Sequence, residues 1–158
     1  MRTHYLKFLS IALAGSILLT ACEKEKEVTV TNPVYNIRGN AGGAQEAPIR
    51  VTTTATGTLS GTYNKETNIL TYTITWTGLT GGNPTAMHFH GAADPGIAAG
   101  VQIGIAGFPT TANGTVSGTT PALTDQQESD LMNGLWYYNI HNATNPAGEI
   151  RGQVFLTQ

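Results

Sequence analysis

Apolar and polar residues alternate with a period of two along much of the chain, most cleanly over residues 69–77. There Leu70, Tyr72, Ile74 and Trp76 fall on one face, and Thr71, Thr73, Thr75 and Thr77 on the other. Side chains alternate across a strand, so this pattern predicts a half-buried strand with a threonine outer face. Residues 51–63 repeat it. Thr52, Thr54, Thr56, Thr58, Ser60 and Thr62 oppose Val51, Ala55, Leu59 and Tyr63. Gly57 and Gly61 share the apolar parity and predict a bulge or bend. A turn at 64–68 closes the two strands into an antiparallel hairpin.

Shorter alternating stretches follow. In 85–91, Met87 and Phe89 oppose His88 and His90. Val101, Ile103 and Ile105 alternate with Gln102, Gly104 and Ala106. Asn113-Gly114 signals a tight turn before a strand at 115–119. Near the C-terminus, Trp136, Tyr138 and Ile140 oppose Tyr137, Asn139 and His141. Ile150, Val154 and Leu156 oppose Glu149, Arg151 and Gln153. The intervening 142–148 holds Asn-Pro and Ala-Gly, both turn signals. These arms form a second hairpin with His141 and Glu149 at its mouth. At the other end, 35–39 reads as a short edge strand and 40–48 as a loop.

Only 123–134 reads as a helix. Thr124 can cap it, Gln127 completes a capping box, and Gly134 suits the position after its end. Its body carries little beyond Leu131 and Met132 that is strongly apolar, so it should lie on the surface. About seven to nine short antiparallel strands and one short surface helix predict an all-β fold, a β-sandwich of immunoglobulin-like or Greek-key type. Its core should come from Leu70, Tyr72, Ile74, Trp76, Met87, Phe89, Val101, Ile103, Ile105, Trp136, Tyr138, Ile140, Ile150, Val154 and Leu156.

The first residues break the pattern. Arg2 and Lys7 precede an apolar run at 8–19 that is short for a membrane span. Leu19-Thr20-Ala21-Cys22 then resembles a bacterial lipobox, which implies a signal peptide at 1–21 and lipidation of Cys22. Cys22 is the single cysteine, so no disulfide can claim it. The mixed-charge run Glu23-Lys24-Glu25-Lys26-Glu27 opens a solvated tether over 22–34. The partner expected here is the membrane, reached through acyl chains on Cys22, and the location is the cell outer membrane or cell surface. Losing Arg2 and Lys7 makes the formal net charge of -2 more negative still, so no basic footprint for nucleic acid exists.

Residues 35–158 are similar to the CHRD domain, named after chordin and present singly in bacterial secreted proteins and lipoproteins. The blocks that carry the likeness are Gly43-Ala44-Gln45-Glu46-Ala47-Pro48, Leu70-Thr71-Tyr72-Thr73-Ile74, Ala86-Met87-His88-Phe89-His90-Gly91, Tyr138-Asn139-Ile140-His141 and Asn145-Pro146-Ala147-Gly148-Glu149-Ile150-Arg151-Gly152-Gln153. The resemblance implies an all-β extracellular module and names no ligand. The His-X-His strand also resembles copper/zinc superoxide dismutases, in one tripeptide, and those enzymes use more histidines than this domain has.

Of the 4 histidines, His4 leaves with the leader. His88, His90 and His141 remain, each on the polar parity of its strand. Two histidines at i and i+2 share a face and can chelate one ion. His141 and Glu149 from another strand would complete a three-nitrogen, one-oxygen set for Cu or Zn. Tyr137, Asn139 and Arg151 are the neighbours expected to orient the rings. The same residues can equally form a polar network without metal. No serine lies in a nucleophile-elbow pattern and no glycine-rich loop opens a helix, so a non-enzymatic role is expected. The sequence thus predicts a lipid-anchored cell-envelope binding or structural module, whose ligand would be a protein or a glycan. The alternative is an envelope metal-binding protein.

Overall fold

The computed structural model describes residues 33–158. The leader, Cys22 and all but the end of the expected tether lie outside the described residues. The elements are β1 (Val34–Gly42), a 3-10 turn (Gly43–Gln45), β2 (Thr56–Asn64), β3 (Ile69–Thr77), β4 (Pro84–His90), β5 (Val101–Gly104), β6 (Gly114–Thr119), α1 (Asp125–Met132), β7 (Tyr137–Asn142), β8 (Ile150–Gln153) and β9 (Phe155–Thr157). The strands pair antiparallel in the order β5-β4-β7-β8-β1-β2-β3-β6, with β9 also on β1. The domain is all-β with one short helix.

The sheet curls over itself. Tyr72 on β3 meets Phe89 on β4 edge to face, with ring centroids 5.1 Å apart, although several strands separate them in the ladder. Leu59, Leu70, Ile74 and Trp76 from one half and Met87, Tyr138, Ile140 and Ile150 from the other fill the space between. Each such side chain contributes about 1.5–3 kcal/mol on burial. The last strand carries the chain from one layer to the other. β8 pairs with β7, the chain turns at the buried Val154, and β9 pairs with β1. A strand that switches layers in this way makes the corner of a sandwich.

The threonine-faced hairpin forms in register from Thr56↔Thr77 to Asn64↔Ile69. Residues 51–55 leave the ladder, because Val51 N–H donates to Gly43 O and the Thr53 hydroxyl donates to Glu149. No bulge occurs at Gly57 or Gly61, where pairing on both sides of β2 is unbroken. Gly57 instead makes room: a Cβ there would lie 3.2 Å from Ile150 Cδ1 and 3.3 Å from Ala41 Cβ. On β6, Gly114 and Gly118 pair with Trp76 and Tyr72, whose rings lie over them. An aromatic ring over a glycine restores packing that the missing side chain gives up.

β1 is longer than the alternation suggested and is an interior strand, not an edge. It runs between β2 and the β8–β9 segment. Its small residues permit this: Gly39 backs onto the Tyr138 ring, with a Cβ position 3.2 Å from Cε1. Of the expected core, Val101 is 55 % exposed, because β5 is the edge strand, and Ile103 and Leu156 are only partly buried. The helix keeps its capping box of Thr124 and Gln127 and buries Leu131. Gly134 follows it at a φ of 71°, which favours glycine.

Candidate metal centre

β4 and β7 are neighbours, and their register decides what meets on the outer face of that layer. His88 pairs with Asn139, His90 with Tyr137, and Ala86 with His141. The same parity continues onto β8, where Arg151 pairs with Asn139 and Gln153 with Tyr137. The alternation marks this row as polar, and the 91–100 loop folds over it. Tyr137, Asn139, Arg151 and Gln153 are all under 5 % exposed. Three of them find partners in that loop: Gln153 Nε2 donates to Ala93 O, Arg151 to the Asp94 and Ile97 carbonyls, and Tyr137 Oη to Ala99 O.

The three histidines converge. One ring nitrogen from each lies within 4.8 Å of those of the other two. His88 Nδ1 is 3.0 Å from His141 Nε2. Tetrahedral ligands about 2.05 Å from a metal stand about 3.4 Å apart, so this pair, now in hydrogen-bond contact, would open by a few tenths of an ångström and move the His88 proton to Nε2 to take an ion between them. The hydrogen-bond network assigns the tautomers. His90 Nδ1 lies 3.0 Å from Ala99 O and His141 Nδ1 3.0 Å from Pro146 O. A carbonyl only accepts, so both Nδ1 atoms carry protons and both Nε2 atoms carry lone pairs. His88 Nδ1 then donates to His141 Nε2. His90 Nε2 is buried and has no hydrogen-bond partner. Orientation of a ring through its other nitrogen is a recurring support for metal-ligating histidine.

All three imidazoles are held below the usual histidine range. Burial is the main cause for each, and the neighbouring imidazole charges add to it at His88 and His141. They are therefore neutral at pH 7, the form that offers a lone pair to a metal.

Tyr137 and Arg151 support the loop that orients His90. The His90 ring stacks on Tyr137 with centroids 4.7 Å apart and planes 3° from parallel. Tyr137 Oη donates to Ala99 O and accepts from Ala99 N–H. The Arg151 guanidinium sits 3.5 Å over the Tyr137 ring centroid. Asn139 donates to Ala147 O, and its Oδ1 has no partner.

Glu149 is not in this cluster, which corrects its expected place as the oxygen ligand. Its carboxylate turns to the loop after β3. It accepts from Thr53 Oγ1 at 2.6 Å, from Thr80 N–H and Oγ1 at 2.8 Å each, and from Gly81 N–H at 3.0 Å. Asn142 Nδ2 is a further donor. Burial alone would raise this carboxyl, but the hydrogen bonds from Thr53, Thr80 and Gly81 together outweigh it and hold it down at about 2. A carboxylate with that many donors has no lone pair left for an ion. The alternation gave its strand parity, but at the strand end the side chain follows the nearest donors.

Three groups escaped the sequence. The orienting carbonyls of Ala99 and Pro146 have no side-chain signature. Glu46, only 5 % exposed, lies in a block that had been read as loop.

The chain has no match among curated proteins or among solved structures. The family model for the CHRD domain matches residues 37–154, a span that holds most of β1, all of β2 to β8 and all three converging histidines, and the chain belongs to the CHRD-domain family.

Proposed function

We propose that this protein is a lipid-anchored cell-envelope module that binds one Zn²⁺ or Cu²⁺ through His88, His90 and His141. The observation that carries the reading is the buried Nε2 of His90, without a protein partner, beside the neutral imidazoles of His88 and His141. A buried polar atom without a partner costs about 1–3 kcal/mol, and a metal ion would satisfy it. Zinc accepts three histidines with a fourth position open, and imidazole-rich sites also suit copper.

The test is metal content. Purified protein dialysed against Zn²⁺ or Cu²⁺ and then freed of excess should retain one ion per chain. Its thermal midpoint should rise, since a ligand at a thousand times its Kd adds about 4 kcal/mol. His90→Gln should lose both the ion and the shift. Retention of the ion by His90→Gln, or no stoichiometric ion in the parent, would sink the reading.

The envelope location rests on the leader and Cys22. Cys22→Ser should move the protein from the membrane fraction to the soluble fraction. A variant that stays with membranes contradicts the anchor.

A further inference from the structure

We propose that the cleft between the 43–51 segment and the 91–100 loop is a second binding site, independent of the histidines, for a small hydroxylated organic carboxylate. The cleft has a volume of about 420 Å³, which lies within the usual range for small-molecule sites. Its walls include Gln45, Glu46, Arg50, Pro95, Arg151 and Gln153.

The charge in this cleft is unbalanced. Arg151 is 1 % exposed, yet no carboxylate forms a salt bridge with it among the described residues. Its hydrogen bonds go to neutral oxygens, the Asp94 and Ile97 carbonyls and Gln153 Oε1. The carboxyl that acts on the Arg151 charge is Glu46, without a salt-bridge contact and with its own burial favouring the protonated form, so the cleft keeps a positive balance that favours an anion. Arg50 lines the same cleft, is exposed, and adds a second positive charge with a free guanidinium fork. Such a fork matches the two oxygens of a carboxylate.

Glu46 sets the choice of anion. Its side chain is buried in the cleft wall and Oε1 has no hydrogen-bond partner. Burial pushes its carboxyl up to about 7, against the opposing pull of the Arg151 charge, the Ala47 N–H and the Asn139 carboxamide. A protonated carboxyl donates to a carboxylate or hydroxyl oxygen. It is a poor neighbour for a dianion, whose field would meet the ionised fraction. The exposed Gln45 carboxamide suits hydroxyls, and Pro48 and Pro95 offer apolar sides for a ring.

The experiment is calorimetric titration of the full chain in detergent, stripped of metal on a chelating resin, with D-galacturonate, D-galactose and inorganic phosphate. Galacturonate should bind saturably, and galactose weaker by about tenfold or more, the worth of one charge-assisted hydrogen bond. Arg50→Glu changes an exposed side chain and should fold normally while weakening galacturonate by at least about tenfold. Loading the chain with one equivalent of Zn²⁺ should leave galacturonate binding as in the stripped chain, which separates this site from the metal centre. Equal binding of galactose, tighter binding of phosphate, no saturable binding of galacturonate, loss of binding on loading with one equivalent of Zn²⁺, or indifference to Arg50→Glu would each overturn the assignment.

Discussion

Glu149→Ala is expected to destabilise the domain by about 3–5 kcal/mol, read as a shift in the urea midpoint. The carboxylate is fully buried and joins three segments: Thr53 before β2, Thr80-Gly81 after β3, and Asn142 at the end of β7. Removing it leaves their donors facing one another without an acceptor, and each buried unsatisfied group costs about 1–3 kcal/mol. Glu149→Gln keeps the shape but turns an amide NH₂ toward donors, so most of the loss should persist. The pH dependence follows from the folded pKa of about 2, below the ordinary 4.5 of a glutamate. Ionised Glu149 favours the fold, so its contribution is full above the unfolded pKa and fades as pH falls toward 2. That contribution is worth about 3 kcal/mol. The parent should lose this advantage over Glu149→Gln between pH 5 and 2. A Glu149→Ala midpoint within about 1 kcal/mol of the parent would show that the three segments hold without the carboxylate.

Glu46→Gln should act in the opposite sense and at the opposite end of the pH scale. The folded pKa of about 7 lies above the ordinary 4.5 of a glutamate because burial disfavours the charged form. The charged groups that face it are Arg151 on β8 and Arg50 on its own segment. With the folded pKa raised, the protonated acid favours the fold. Its contribution is present below about pH 4.5 and is lost as pH rises through 7. The glutamine cannot ionise, so it should match the parent at pH 4 and exceed it by about 3 kcal/mol at pH 8–9. Melting curves of both proteins across that range measure the difference. A difference that stays flat with pH would mean that Glu46 titrates as an ordinary surface carboxyl.

The strands, the helix cap and most of the core were legible because one-face burial writes itself as alternation. Residues 69–77 are the clearest example. β1 was misread because Gly39-Asn40-Ala41-Gly42 resembles a loop. Those small residues are needed where the Tyr138 ring presses on the strand, and nothing local in the sequence reports a ring that arrives from β7. The histidines were found by parity, which places side chains on a face but not beside one another. Their convergence depends on the β4–β7 register, a long-range fact. Glu149 failed for a related reason: periodicity fixes the direction of a side chain inside a strand and stops fixing it at the end. The burial of Arg151 and Gln153 was hidden as well, since a covering loop leaves the alternation beneath it unchanged.

The corner at Val154 has a consequence for how the domain is made. It sends β9 to pair with β1, so Asn36 meets Thr157 and the two ends of the domain lie side by side. Contacts of such high sequence separation bear the full entropy of loop closure before they return any stability, and folds dominated by them close slowly. A chain that emerges from its amino end can complete the β1–β2–β3 ladder early. It cannot seal the flank of β1 until its last residues are free. Until then that strand presents an open row of backbone donors and acceptors, and the interval before closure is when the chain is most exposed to pairing with another copy.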